Sequence, residues 1–494
     1  MHYLFHICIT IFILFQFSSA LSRDSPKVPI PGTQNWEMVQ PRSRLFSPRH
    51  SHATCIFPCP NSRTKNCIWL TGGYSEQYRT FDLQMSDRNA DVWFSEDGSE
   101  WTQVESLNGD YLQGVGNHDA KVGGNVAPWY SRYGHSLNAI DGDGDGTADI
   151  MILTGGFDPI VSNDVWITTN GITWMFDGYA PWPKRAYHGA EVYKGELWIM
   201  GGTPLTNDIW IGRPMMKKSN KSQYYIAWRM HTPHTDSGSM WSPRAAFCTV
   251  TQLRREAYPL NEIVANSEEN SVDSLFVIGG FGGYPNEDKR TRNDVWFTPD
   301  GSNWTQISPP NLEDEKMPWG SRGWHACKVW HDKDDRSTGV SQASKRFYKH
   351  HMPEKKSLMY PKIYLMGGGY LGTHGNNEVR YINGYTDVWW TLDGSEWHRV
   401  DYEEGKKVSL YSTSEVYETI IEKEKSIYLG KWGMRLELLH TNLYSDDTGK
   451  DCVDNEESKS TCTSQISNLV VIGGDTTDGG PIVNDVFISR SGGE

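Results

Sequence analysis

Short apolar runs ending in a glycine pair recur along the chain. They read CIWLTGG, IMILTGG, LWIMGG, LFVIGG, IYLMGG and LVVIGG, and close at residues 72–73, 155–156, 201–202, 279–280, 367–368 and 473–474. Runs of this length, rich in branched side chains and bounded by glycine, predict buried strands. A polar stretch follows each pair, then a strand carrying an acid two residues before an aromatic: Asp91 and Trp93, Asp164 and Trp166, Asp208 and Trp210, Asp294 and Trp296, Asp387 and Trp389, Asp485 and Phe487. Four of these strands turn through Asp97-Gly98, Asn170-Gly171, Asp300-Gly301 and Asp393-Gly394, pairs that favour tight hairpins. A tryptophan follows each turn, at Trp101, Trp174, Trp304 and Trp397, with Trp228 placed more loosely.

A four-stranded unit repeated at roughly 40–50 residues is the signature of a β-propeller. Helical solenoids repeat at similar lengths, but these strings lack a sustained 3.6-residue apolar period. The expected fold is all-β, a six-bladed propeller over residues 35–494, with blades near 45–104, 129–177, 182–231, 241–308, 319–401 and 431–490. The sixth unit lacks a fourth-strand tryptophan, and Asn35-Trp36-Glu37-Met38-Val39 reads like an orphaned fourth strand. Residues 35–40 are therefore expected to complete the last blade and latch the ring.

Each unit also opens with an arginine: Arg49, Arg132, Arg185, Arg244 and Arg322, with Arg435 as the sixth; His52, His135, His188 and His325 follow four of them at three residues. R-x-x-H, an apolar strand ending in GG, N-D-V-W and a later tryptophan together resemble the kelch repeat, the module also found in the galactose-oxidase propeller. The resemblance covers residues 35–490. It implies that these arginines and histidines ring one mouth of a central channel, where guanidiniums suit carboxylates, sulfates or acidic loops. The competing role for the arginines is a tie to the aspartates of neighbouring D-V-W strands. Long loops at 74–90, 281–293 and 369–386 are expected on the same face, with Phe281, Tyr284, Tyr370, His374, Tyr381, Tyr385 and Trp129 available to grip a sugar or peptide.

The N-terminal stretch adds a location. Ile7 to Phe17 is an apolar core of signal-peptide length, with small residues up to Ala20 for cleavage, so residues 1–20 are expected to be removed and the protein secreted, with 21–34 a leader. No later run is long enough to span a bilayer. With 61 acidic against 47 basic residues and a net charge of −14, nucleic acid is an unfavourable partner. A protein or carbohydrate ligand is the expectation. Disulfides fit an exported chain: Cys59 with Cys67 and Cys452 with Cys462 each bracket one insertion, while Cys55, Cys248 and Cys327 stay unassigned. Asn220 and Asn303 head glycosylation sequons.

One stretch points to a metal. Asp141, Asp143, Asp145 and Asp149 stand at positions 1, 3, 5 and 9 of a D-x-D-x-D-G-x-x-D loop, with a carbonyl near Thr147 to add. Such carboxylates converge on one hard cation, and calcium bracing a hairpin is expected. Nothing brings two tyrosines and two histidines together for copper. The turns at 95–101 and 298–304 resemble the Asp-box hairpins of sialidases, one residue short between Asp and Gly, so a sialidase-like hydrolase or a copper oxidase is the enzymatic alternative. A basic island at 345–356 and a short helix near 415–425 complete the expectations.

Overall fold

In the computed structural model the chain is an all-β propeller, with no helix among the described residues. These are 36–39, 41–43, 45–60, 62, 65–75, 90–104, 108–109, 127–142, 147–157, 160–217, 220–255, 271–284, 290–307, 317–331, 361–374, 378–385, 387–391, 393–399, 433–445, 451–452, 464–475 and 482–489. The island at 345–356 and the helix expected near 415–425 lie outside them.

Each apolar run before a glycine pair forms the second strand of an antiparallel sheet, because it must bury both faces. Sheet 1 orders Ala53–Pro58, Asn66–Thr71, Val92–Ser95 and Thr102–Gln103 from axis to rim. Sheet 2 runs Ser136–Ile140, Ile150–Thr154, Asp164–Thr168 and Thr173–Tyr179. Asn108–Gly109 adds to its outer edge in parallel. Sheet 3 is built from Gly189–Tyr193, Glu196–Met200, Ile209–Lys217 and Asn220–Thr232. Sheet 4 contains Cys248–Arg255, Ser271–Gly282, Arg290–Thr298 and Thr305–Gln306. Sheet 5 contains Ala326–His331, Pro361–Met366, Val388–Thr391 and Trp397–Arg399. Sheet 6 runs Arg435–Ser445, Ser464–Asp475, Ile482–Ser489 and then Trp36–Met38 from the other end of the chain. That last pairing aligns Trp36 with Ser489 and Met38 with Phe487.

The sheets pack face to face, and the second strands are nearly inaccessible: Ile68, Leu70, Ile150, Ile152, Leu197, Ile199, Leu275 and Val277 are fully buried. Large rings fill the widening space toward the rim, Trp69, Trp166 and Trp174 among them.

The four predicted turns form one repeated device of hydrogen bonding. A hydroxyl of Ser95, Thr168, Thr298 or Thr391 accepts from the glycine N–H three residues on, at 2.8–2.9 Å. The Asp or Asn between them accepts from the N–H two residues further, at 2.7–2.9 Å. The Asp-box resemblance therefore corresponds to a capped turn. At Gly301 φ is +84°, and a Cβ there would stand 2.1 Å from the Trp198 ring of the preceding sheet. Gly301→Ala combines backbone strain with a collision, so denaturant unfolding should show a loss of roughly 2–4 kcal/mol.

Candidate ligand-binding mouth

At one end of the axis the inner strands are joined by backbone alone. The N–H of Gly134 donates to Ser51 O, Tyr187 to Gly134 O, Ala246 to Tyr187 O, Trp324 to Ala246 O, Gly433 to Trp324 O and Ser51 to Gly433 O, at 2.7–2.9 Å. The donors and acceptors close on themselves. All of these residues have φ between +52° and +64°. Glycine meets that requirement freely at 134 and 433, whereas Ser51, Ala246 and especially Tyr187 and Trp324 hold a conformation that bulky residues rarely adopt.

Beneath this belt lie the five arginines, and their donors are spent on their own sheets. Arg132 sends Nη1 to Asp164 Oδ1 and Gly155 O, and Nη2 to Asp164 Oδ2, all at 2.7 Å. Its Nε reaches Tyr130 O at 3.2 Å. Arg49 treats Asp91 and Gly72 O in the same way, Arg185 treats Asp208 and Gly201 O, Arg244 treats Asp294 and Gly279 O, and Arg322 treats Asp387 and Gly367 O. Each aspartate also accepts from the indole of its D-x-W partner, as Asp164 does from Trp166 at 2.8 Å. Burial alone would raise the Asp164 carboxyl pKa, but the Arg132 charge and these hydrogen bonds outweigh it and hold it below the usual range. The pairs lie within one sheet and not between neighbours, since both partners belong to the same repeat. An aromatic stands three residues before each arginine: Phe46, Trp129, Trp182, Trp241 and Trp319. The guanidiniums of Arg49, Arg185 and Arg322 lie 5.4–5.8 Å from their rings. This aromatic-x-x-Arg spacing is a sequence signal for the tie; Trp129 is core, not a loop contact.

Arg435 stands elsewhere. The belt aligns Gly433 with Ser51, so Arg435 takes the place held by Ala53, Ser136, Gly189, Cys248 and Ala326, two residues further along the inner strand. Its Nε donates to His52 O of sheet 1 at 2.6 Å.

The histidines are wedges between sheets. Thr71 Oγ1 in sheet 1 meets His135 Nε2 at 2.9 Å, and Thr154 in sheet 2 meets His188 Nε2 at 3.1 Å. The second glycine of five of the six pairs donates to the following arginine's carbonyl, 73 to 132, 156 to 185, 202 to 244, 280 to 322 and 474 to 49, at 2.8–3.0 Å. A Cβ on Gly72 would sit 2.6 Å from Arg132 O and 2.7 Å from the His135 ring, which is why the pair is glycine. Phe247 takes the histidine's place in sheet 4. Burial pushes the His188 and His325 pKa values down to about 3 and that of His50 to about 4, with Arg185 and Arg322 adding to the first two; His52 and His135 shift the same way.

What faces solvent at the mouth is aromatic. Tyr74 and Tyr133 lie 5.5 Å apart, Tyr133 and Tyr187 6.0 Å, Tyr187 and Trp324 6.3 Å, and Trp324 stacks on Phe281 at 6.1 Å. The Tyr187 ring covers Gly134, and its hydroxyl reaches Ser51 Oγ at 3.3 Å. These five rings are partly exposed and form one continuous arc. Tyr284 and Tyr385 instead donate to the backbone at Met240 O and Ser321 O, and Tyr370 lies 5.9 Å from Tyr385. The side chains of His374 and Tyr381 lie outside the described residues.

On the opposite side, Asp141 and Asp149 flank the strands of sheet 2, and Asp149 Oδ2 accepts from Gly142 N at 2.8 Å. Thr147 is described; Asp143 and Asp145 lie outside the described residues. Cys59 and Cys67 form the expected disulfide. Cys248 and Cys327 form another, across the inner strands of sheets 4 and 5, which sequence spacing did not reveal. Cys55 donates to Met151 Sδ at 3.3 Å. Cys452 is in a short strand, and its expected partner Cys462 lies outside the described residues. Asn220 opens a strand, and exposed Asn303 donates to Asp300 at 2.7 Å. Among the described residues no helix is long and apolar enough to cross a membrane.

No family model matches the sequence, and no curated protein matches it. Among solved structures the chain is similar to one titled "Structure of YjhT", at 12% identity over 94% of this chain and 96% of that one, with a TM-score of 0.44. A likeness at that level carries no functional argument.

The buried histidines impose a pH dependence. Their folded pKa values are below the unfolded value near 6.5, so the unfolded state binds more protons between about pH 3 and 6.5. Stability is complete above that window and falls as pH drops through it. His325→Phe, copying Phe247, should remove about one proton from the dependence, flattening it by about 1.4 kcal/mol per pH unit between pH 4 and 6 in denaturant titrations.

Proposed function

We propose that this chain is a secreted, six-bladed, kelch-like propeller that binds a protein or carbohydrate ligand on the aromatic floor of its belt mouth. The closed belt of hydrogen bonds and the step from Gly474 N to Arg49 O support six blades and a closed ring. Pairing of Trp36–Met38 with Ile482–Ser489 supports closure by the N-terminal strand. The repeated Arg-x-x-His, GG and D-x-W contacts support the kelch likeness, and the disulfides are compatible with secretion.

The observation that carries the binding role is the placement of Tyr187 and Trp324. Both sit at φ near +52° to +55°, where Gly134 and Gly433 serve the belt without strain. Backbone strain held on large side chains at a rigid rim is a mark of functional sites. The arginines contribute the frame beneath the floor, so recognition falls to rings and hydroxyls.

Trp324→Gly tests this directly. Relief of strain offsets the lost ring contacts, so stability should stay within roughly 1 kcal/mol of the parent. Retention on a glycan or peptide array should fall at least about tenfold, the loss of one stacking platform. Retention unchanged by the substitution would remove the mouth as the binding site.

The Asp141–Asp149 loop fits a structural calcium ion, its ends held by adjacent strands and Asp141, Asp143, Asp145, Thr147 and Asp149 as ligands. Chelation with EDTA should lower the melting temperature of the parent, and Asp145→Ala should abolish that difference.

A further inference from the structure

The hairpin of Ile209–Lys217 and Asn220–Thr232 outgrows the sheet it belongs to. Glu196–Met200 pairs with its first strand only from Ile209 to Gly212, and beyond that point the two strands pair with each other alone. Six large hydrophobic side chains are exposed among the described residues, and four of them, Met215, Met216, Tyr225 and Met230, are on this hairpin. Met215 and Tyr225 share one face of it and Met216 and Met230 the other, so the first pair forms the apolar centre of one candidate contact surface.

The two faces of the ribbon differ. Ile226, Tyr224 and Trp228 point toward sheet 2 and pack with Ile140, Ile167, Ala180 and Trp182. Asp177, at a bulge in the outer strand of sheet 2, accepts the Ile226 N–H at 2.7 Å and fixes the ribbon there. On the other face Met215 stands opposite Tyr225, and Arg213 opposite Ala227. Alternation adds Arg229, and Lys217 follows at the register shift after Met216; all six of these residues are exposed. Arg229 bonds Glu196 at 3.0 Å; Arg213 and Lys217 bracket the Met215–Tyr225 pair.

We propose that this outer face of the ribbon is a docking surface for a partner protein, engaging a segment that carries carboxylates around an apolar side chain. Methionine, tyrosine and arginine are the types enriched at protein interfaces. Two cations flanking an apolar pair give this patch a local charge opposite to the chain's net −14, which complements a short acidic segment and not a basic one. The anchored back face holds the ribbon rigid, so docking costs little ordering. An anionic bilayer is disfavoured because the rest of the chain would be repelled from it.

The test uses the intact secreted protein and a fluorescent peptide of about 12 residues alternating Glu with Leu and Tyr, a size matched to a small transient interface. Binding should weaken with salt, and its lysine counterpart should not bind. Arg213→Glu with Lys217→Glu, and separately Met215→Ser with Tyr225→Ser, should each weaken it at least about tenfold. Peroxide footprinting supplies an internal control: bound peptide should protect Met215 from oxidation while Met230, on the opposite side of the ribbon, stays reactive. Absence of peptide binding, binding indifferent to both double variants, or equal protection of Met230 would overturn the proposal. So would ribbon-dependent binding confined to vesicles containing about 30% phosphatidylserine, or ribbon-dependent dimerisation in sedimentation.

Discussion

The belt of backbone hydrogen bonds around the axis is the constraint on which the rest depends. It joins each inner strand to the next through a residue in left-handed conformation, at Ser51, Gly134, Tyr187, Ala246, Trp324 and Gly433. An N–H and a C=O pointing along a ring instead of across a ladder need that backbone twist, which costs most for side chains as large as Tyr187 and Trp324. Neighbouring groups then have to hold the belt residues in place. The arginine two residues before the belt does so in five sheets, tying its own backbone to the third strand and to the first glycine of the pair.

That tie explains the composition of the repeat. A buried guanidinium is tolerable only when its donors are satisfied, and here one aspartate takes two, the glycine carbonyl a third and the residue two back a fourth. The aspartate's remaining capacity goes to the tryptophan indole two residues on. Arginine, glycine, aspartate and tryptophan are thus parts of one network, and replacing the arginine or the aspartate leaves buried polar groups unmatched. The first glycine also faces the next sheet, whose arginine carbonyl and histidine pass too close for a Cβ, and the second glycine donates its N–H across the same boundary.

This arrangement separates stability from recognition. Charge is consumed within the sheets, so the mouth surface is left to Tyr74, Tyr133, Tyr187, Trp324 and Phe281. Rigid support below and rings above suit a ligand held by stacking and by hydroxyl contacts. The basic, methionine-bearing face of the sheet 3 hairpin lies on an extension the propeller does not need for its own closure.

Strand order, turns and the propeller were legible in the sequence because each rests on local chemistry: apolar runs, glycine at positive φ, and Ser/Thr and Asp capping within a few residues. The Cys59–Cys67 link was legible for the same reason, since its partners lie eight residues apart. Where the arginines pointed was not. Arg132 and Asp164 are 32 residues apart, and only the pleat of the sheet decides whether a side chain meets a neighbour's acid, its own or solvent. Nor was the register of the last inner strand, which Gly433 and not Arg435 defines, nor the bond between Cys248 and Cys327 across two repeats. Periodicity along one strand specifies which residues share a face; which faces meet, and what is left uncovered at the mouth, depends on the packing of distant repeats around the axis.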